Sequence, residues 1–296
     1  MDRRAFLKTS LVAGGAAVTG REARAQEEAH PEQFVGILVD TTRCIGCRSC
    51  EVACGETWGL HVPDPVNDGA LEHERTTSDN QYMIVNRYDT DAGEVFVKKQ
   101  CMHCHQPACA AACPTEAMKK HENGPITWDG DKCIGCRFCM VSCPFDIPKF
   151  EYGDWNPELK KCTMCFERLK EGEQPACVAA CPTDTLMFGT QVQNLSIARH
   201  RIARHPDQYV PHIYGDREVG GTGYIYLSAV PFEQLGFRMD LGRTPYPEYT
   251  REFLYAVPAI LFGVPAFLLA LNAMTGAARG DPESDFGWEP EFGEDE

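Results

Sequence analysis

Apolar positions come in short, separated stretches over most of this chain, followed by one long uncharged run near its end. Residues 34–39 are β-rich and read as an opening strand. A short helix or turn starts at Glu51. Residues 59–80 are polar and contain Pro63, Pro65 and Gly69, the composition of a surface insertion. Residues 82–87 and 94–98 read as two strands joined by a turn at 89–93. Further short strands are expected at 126–128 and 186–188, an extended exit at 144–150 and a charged loop at 167–172. Residues 195–205 have helical spacing and a basic face, which reads as a solvated helix. Residues 209–240 are rich in aromatics and glycine. Within them Gly220-Gly-Thr-Gly223 precedes a strand, so it reads as a turn and not as a phosphate loop.

The long run, residues 253–278, contains no charged side chain, and its apolar part is long enough to cross a bilayer as a helix. Pro258 and Pro265 would kink it, which is tolerable where neighbouring helices cover the freed carbonyls. The competing reading is a buried core helix, but soluble helices seldom run this far without charge. The anchor is placed at 253–275, led in by the proline- and tyrosine-rich residues 243–251. Residues 1–25 read as an export signal outside the fold. Arg3-Arg4-Ala-Phe6-Leu7-Lys8 matches the twin-arginine pattern, residues 11–19 form a weak apolar core, and Ala23-Arg-Ala25 offers a cleavage site. Arg251 and Arg279 balance across the anchor, so flanking charge gives no orientation. Export does: the body lies on the periplasmic face of the inner membrane, and the acidic tail 279–296 lies inside.

The 296 residues leave room for two modest domains, and the net charge of -15 argues against nucleic acid, which needs a basic footprint. An acidic protein of this kind recognises partners through specific complementary surfaces.

Chemistry enters with the sixteen cysteines, all of which fall into groups of four. Cys44, Cys47, Cys50 and Cys54 form the first group, and Cys101, Cys104, Cys109 and Cys113 the second. Cys133, Cys136, Cys139 and Cys143 form the third, and Cys162, Cys165, Cys177 and Cys181 the fourth. Disulfide frameworks do not repeat C-x-x-C followed by C-x-x-x-C-P. Structural zinc takes two pairs per tetrahedral site, and a triplet such as Cys44, Cys47, Cys50 over-supplies it. Cys101-Met-His-Cys104-His105 has the form of a c-type haem attachment site, but both of its cysteines belong to a complete group ending in Cys113-Pro114. The remaining reading, four [4Fe–4S] clusters, uses every thiolate. In double-cluster ferredoxins each run lends its last cysteine to a partner run, so Cys143 would serve another run's cluster. The runs could pair as neighbours or nested, and spacing does not choose between these. The repetition points to an α+β fold of two tandem ferredoxin-like double-cluster domains with loop insertions. The nine histidines are scattered and read as surface or interface residues, and nothing outside the cysteine runs resembles a catalytic constellation.

Three stretches carry a family resemblance: Val97-Lys-Lys-Gln-Cys-Met-His-Cys104, Cys136-Arg-Phe-Cys-Met-Val-Ser-Cys-Pro144 and Pro211-His-Ile-Tyr-Gly-Asp-Arg-Glu-Val-Gly-Gly-Thr-Gly223. The chain resembles the ferredoxin-type iron–sulfur subunits of membrane-bound bacterial oxidoreductases (formate dehydrogenase, nitrate reductase, polysulfide reductase), and among these most resembles the hydrogenase-2 type. The resemblance implies nested pairing. Cys44, Cys47 and Cys50 would join Cys181, and Cys162, Cys165 and Cys177 would join Cys54, in a unit made of 34–58 and 155–195. Cys101, Cys104 and Cys109 would join Cys143, and Cys133, Cys136 and Cys139 would join Cys113, in a unit made of 82–152. Residues 196–250 would be an interface extension. Some relatives replace one cysteine of the third run and hold a three-iron cluster, but here Cys136 is present and implies four irons. The implied role is non-catalytic electron transfer. The first unit would face a catalytic subunit, of NiFe hydrogenase or molybdopterin type, and the second an integral-membrane quinone-reactive subunit. The alternative to the hydrogenase is the equivalent subunit of a molybdopterin oxidoreductase or of a quinone:cytochrome complex.

Overall fold

The computed structural model describes residues 34–276 apart from 67, 68, 154 and 156, so residues 1–25, read as an export signal, and the acidic stretch 279–296 lie outside the described residues. In chain order the elements are β1 (Val35–Asp40), α1 (Ser49–Trp58), β2 (Met83–Thr90), β3 (Gly93–Gln100), α2 (Ala108–Ala111), β4 (Met118–Lys120), β5 (Ile126–Trp128) and α3 (Phe138–Val141). There follow β6 (Lys149–Phe150), β7 (Leu159–Lys160), α4 (Phe166–Lys170), α5 (Ala176–Ala179), β8 (Leu186–Thr190), α6 (Gln191–Arg204), β9 (Tyr224–Leu227) and α7 (Glu248–Gly276). The chain divides after Pro247 into a body and a unit containing α7.

β1 lies at the centre of a three-stranded sheet ordered β8-β1-β9. It runs antiparallel to β8, with Ile37 opposite Phe188, and parallel to β9, with Ile37 opposite Tyr224. A strand buried on both faces is an unbroken apolar run, which is the character of Val35-Gly-Ile-Leu-Val. Leu38 packs with Ala198 of α6, Ile213 and Ile225 on one face. Ile37 and Val39 point the other way, into a core with Val85, Val97, Tyr214, Tyr226 and Phe232. Burying each such side chain contributes roughly 1.5–3 kcal/mol. Gly36 lets the strands close, because a Cβ there would lie 2.4 Å from the carbonyl oxygen of Gly223.

Asp40, wholly buried at the end of β1, accepts a hydrogen bond from the Tyr209 hydroxyl at 2.9 Å and pairs with Arg201 of α6. The helix starts on a capping box, in which Thr190 accepts from the Gln193 N–H and the Gln193 side chain accepts from the Thr190 N–H.

The structure revises three sequence expectations. The charged loop at 167–172 begins as helix α4, because a turn of helix lays the half-buried Leu169 against the core and stacks Phe166 on the His121 ring while Glu167 and Lys170 stay exposed. Residues 209–240, within the stretch read as an interface extension, supply β9 and much of the aromatic core, including Tyr214, Tyr224, Tyr226 and Phe232. The polar stretch 59–80 is tied to the body, with Arg75 donating to Glu51 at 2.6 Å and to the Val85 carbonyl at 2.9 Å.

The helix α7 is long and apolar enough to cross a membrane, with a mean hydropathy of 2.2. At about 1.5 Å rise per residue, the 28 residues of Glu248–Thr275 extend about 42 Å, longer than a hydrocarbon layer of about 30 Å. It continues through Pro258 and Pro265.

Candidate iron–sulfur sites

Each cysteine group contains the same backbone reversal. The residue before its second cysteine is left-handed: Gly46 (φ 69°), His103 (φ 50°), Gly135 (φ 67°) and Met164 (φ 56°). Such a residue turns the chain so that flanking thiols and successive N–H groups face one hollow, a concavity that favours anions. Glycine adopts this conformation freely, whereas His103 and Met164 do so at a cost of about 1–2 kcal/mol each.

A second device recurs at the last cysteine of the later groups. Cys113, Cys143 and Cys181 each precede a proline, and the residue three positions on is left-handed: Glu116, Asp146 and Asp184. This turn aims backbone N–H groups at sulfur. Burial pushes the Cys113 thiol up, but the Met118 N–H, the Thr115 hydroxyl and N–H and the Ala117 N–H outweigh it and hold the thiol below its ordinary value. At Cys181 burial is likewise outweighed, by the N–H groups of Thr183, Leu186 and Thr185 and by the Thr183 hydroxyl.

At three deeply placed cysteines burial wins. It pushes Cys101 and Cys177 up to about 11 and Cys109 up to about 12. Without metal these are neutral thiols. The positive charge of bound iron would make thiolates of them and release their protons.

Folding brings the groups together in a definite succession. Cys44 lies within electrostatic reach of Cys47 and Cys181. Cys54 lies within reach of Cys162, Cys177 and Cys165, Cys104 of Cys101, Cys143 and Cys109, and Cys139 of Cys113, Cys133 and Cys136. Between these sets, Cys50 neighbours Cys177, Cys101 neighbours Cys162, and Cys109 neighbours Cys139. The β1–β8 pairing carries the first run to the fourth, and α1 packs on α5. The β4–β5 hairpin turns the second run back to the third, and α2 packs on α3. Exposure follows the same succession: Cys47 and Cys136 are exposed, while Cys54, Cys101, Cys109, Cys165 and Cys177 are buried.

Two cavities test the fit of a cluster. One is lined by Cys54, Cys162, Cys165 and Cys177. The other is lined by Cys113, Cys133, Cys136 and Cys139. Among the described residues no three His, Cys, Asp or Glu side chains close on a single ion. A cubane presents separate iron corners, so its four thiolates stand around a shared volume, and these cavities have that form.

Several residues with no assigned role in the sequence reading surround these groups. Lys98, Lys161 and His103 are all buried, at 2%, 3% and 1% exposure. His103 corrects the reading of the histidines as surface or interface residues. Its ring lies inside the second cysteine loop, where Nδ1 accepts from the Ile126 N–H at 3.0 Å. Burial drives its pKa well down, so the ring is neutral and carries no solvated charge. Lys120 braces the same loop, donating to the carbonyls of Cys104 at 2.8 Å and His105 at 2.6 Å. The only trace of Lys98 and Lys161 in the sequence is a lysine shortly before a cysteine run.

Residues 43–117 and residues 93–191 each match a family described as a 4Fe-4S dicluster domain. Over nearly its whole length the chain is also 33% identical to the hydrogenase-2 operon protein HybA of Escherichia coli O157:H7, covering 96% of this chain and 97% of the relative. The chain belongs to the 4Fe-4S dicluster family. A protein of Nitratidesulfovibrio vulgaris is 43% identical, covering 93% of this chain and 77% of its own length. The iron–sulfur subunit of the nitrate-inducible formate dehydrogenase of Escherichia coli K12 is 35% identical, covering 65% of this chain and 67% of the relative. This chain therefore has two tandem 4Fe-4S dicluster domains, whose matches run in chain order and overlap at 93–117.

Proposed function

We propose that this 4Fe-4S dicluster protein is an electron-transfer subunit that relays electrons through four [4Fe–4S] clusters. The ligand sets are Cys44, Cys47, Cys50 with Cys181; Cys162, Cys165, Cys177 with Cys54; Cys101, Cys104, Cys109 with Cys143; and Cys133, Cys136, Cys139 with Cys113. The observation that carries this reading is the succession of neighbours Cys50–Cys177, Cys101–Cys162 and Cys109–Cys139, which strings the four sets into a line. The exposed cysteines Cys47 and Cys136 belong to its two terminal sets, where partners can reach.

A bound cluster supplies a one-electron carrier. The chain supplies its spacing, its exclusion of water and the N–H groups that set its potential. In this reading the unit of 34–58 and 155–195 faces a catalytic subunit, the unit of 82–152 faces a quinone-reactive membrane subunit, and 196–250 helps to join them. The chain is exported by the twin-arginine route and α7 anchors it on the periplasmic face. The full-length relationship to a hydrogenase-2 operon protein favours a NiFe hydrogenase as the catalytic partner. The formate dehydrogenase relatives favour the second reading, the same relay beside a molybdopterin enzyme. Iron and acid-labile sulfide analysis of the purified chain should return four of each per cysteine group, and zinc without sulfide would overturn the relay. Nickel or molybdenum in the co-purifying subunit decides between the two partners.

A further inference from the structure

Lys98 sits in β3 with only 2% exposure, and among the described residues no carboxylate forms an ion pair with it. The one buried carboxylate nearby, Glu51, is already held by Arg48 at 2.9 Å and Arg75 at 2.6 Å. The Lys98 ammonium donates to Gln100 Oε1 at 2.8 Å and lies 4.9 Å from the centre of the Tyr224 ring. Gln100 is fixed in turn, its amide donating to the Tyr226 hydroxyl at 2.7 Å. An ammonium this deep is costly unless an anion compensates it. Lys98 lines the cavity of Cys54, Cys162, Cys165 and Cys177. It also acts electrostatically on Cys44 and Cys50 of the preceding set.

Lys161 repeats the arrangement one set further on. It is 3% exposed, among the described residues donates only to the backbone carbonyls of Ile126 and Cys162, and acts on Cys101, Cys109 and Cys143. The fourth set, with its exposed Cys136, has no buried lysine in its cavity lining; the cation there, Arg137, is exposed to solvent and lies over the Phe150 and Tyr152 rings.

We infer that Lys98 and Lys161 are the internal counter-charges of the first three cluster sites, positioning residues that raise the reduction potentials of those sites above that of the fourth. The inference rests on the iron–sulfur reading above. A fixed positive charge in a poorly solvated interior stabilises the more negative, reduced state of its neighbours. Because each lysine reaches only certain sets, the effect is local.

The test is an EPR-monitored redox titration of the full-length, cluster-loaded chain in three forms: wild type, Lys98→Gln and Lys98→Arg. Lys98→Gln should lower the potentials of the two clusters nearest Lys98 by about tenfold in reduction equilibrium, which is about 59 mV for one electron. The other two clusters should stay in place, and Lys98→Arg should remain near wild type. Lys161→Gln should shift a different cluster, the one held by Cys101, Cys104, Cys109 and Cys143. Clusters present with unmoved potentials, or a shift spread evenly over all four, would overturn the inference and leave the relay intact. If Lys98→Gln fails to load clusters while Lys98→Arg loads them, charge is the requirement and the inference stands. If both fail, the role is packing and the inference falls. Absence of cluster signals from the wild type would overturn the relay and this inference with it.

Discussion

Arg75 reaches the buried Glu51 carboxylate at 2.6 Å and so fastens the polar stretch 59–80 to the helix that carries Cys50 and Cys54. Arg48 holds the other carboxylate oxygen at 2.9 Å, and the Val85 N–H donates to Oε1 at 2.6 Å. Removing the acid would take its carboxylate from both guanidinium groups and leave the buried Val85 N–H without its acceptor. Glu51→Ala should therefore cost about 3–5 kcal/mol. In thermal unfolding of the loaded protein this is a fall in Tm on the order of ten degrees. Glu51→Gln, which keeps one acceptor oxygen and turns the other into a donor, should cost less than Glu51→Ala.

Gly46 and Gly135 occupy equivalent left-handed positions, at φ 69° and 67°, but differ in surroundings. A Cβ on Gly46 would lie 2.6 Å from the Phe96 ring, whereas one on Gly135 would meet nothing within 4 Å. Gly135→Ala should cost only the conformational strain, about 1–2 kcal/mol. Gly46→Ala should cost more, because the ring must move as well. The rate of cluster loss to a chelator, compared between the two variants, measures the difference.

Cys143 belongs to the third run in sequence but lies within electrostatic reach of Cys104 and Cys109 of the second. Cys143→Ser should remove the cluster of the second run and spare that held by Cys133, Cys136 and Cys139. Adding Cys109→Ser should then remove nothing further, because in the proposed ligand sets both thiolates serve one cluster. Iron content and EPR spin count of the single and double variants check this. Loss of a second cluster in the double variant would contradict the assignment.

The body ends at Pro247 and α7 begins at Glu248. A chain truncated after Pro247 should keep its clusters and its visible absorption while moving from the membrane to the soluble fraction. Full-length protein should resist alkaline extraction from membranes. Retention of the truncated form on membranes without any partner subunit would contradict anchoring by α7.

Much of this protein is local and is therefore legible along the chain. Ligand type and spacing identify the cysteine runs, because a loop that offers three thiols to one cluster has to be short. The strands at 34–39, 94–98 and 186–188 declare themselves by β-rich apolar composition, and α7 by length without charge. Only the tertiary structure decided which runs lie beside one another, since the meeting of Cys54 with Cys162 depends on β1 and β8 pairing across some 150 residues of chain. It also decided that residues 209–240 form core and that His103, Lys98 and Lys161 lie inside. A lysine or histidine has the same local preferences in water as in a protein interior, and its burial depends on what distant segments pack over it. Along the chain Lys98 is one more polar residue of a half-exposed hairpin; in the fold it is a positive charge enclosed among cysteines.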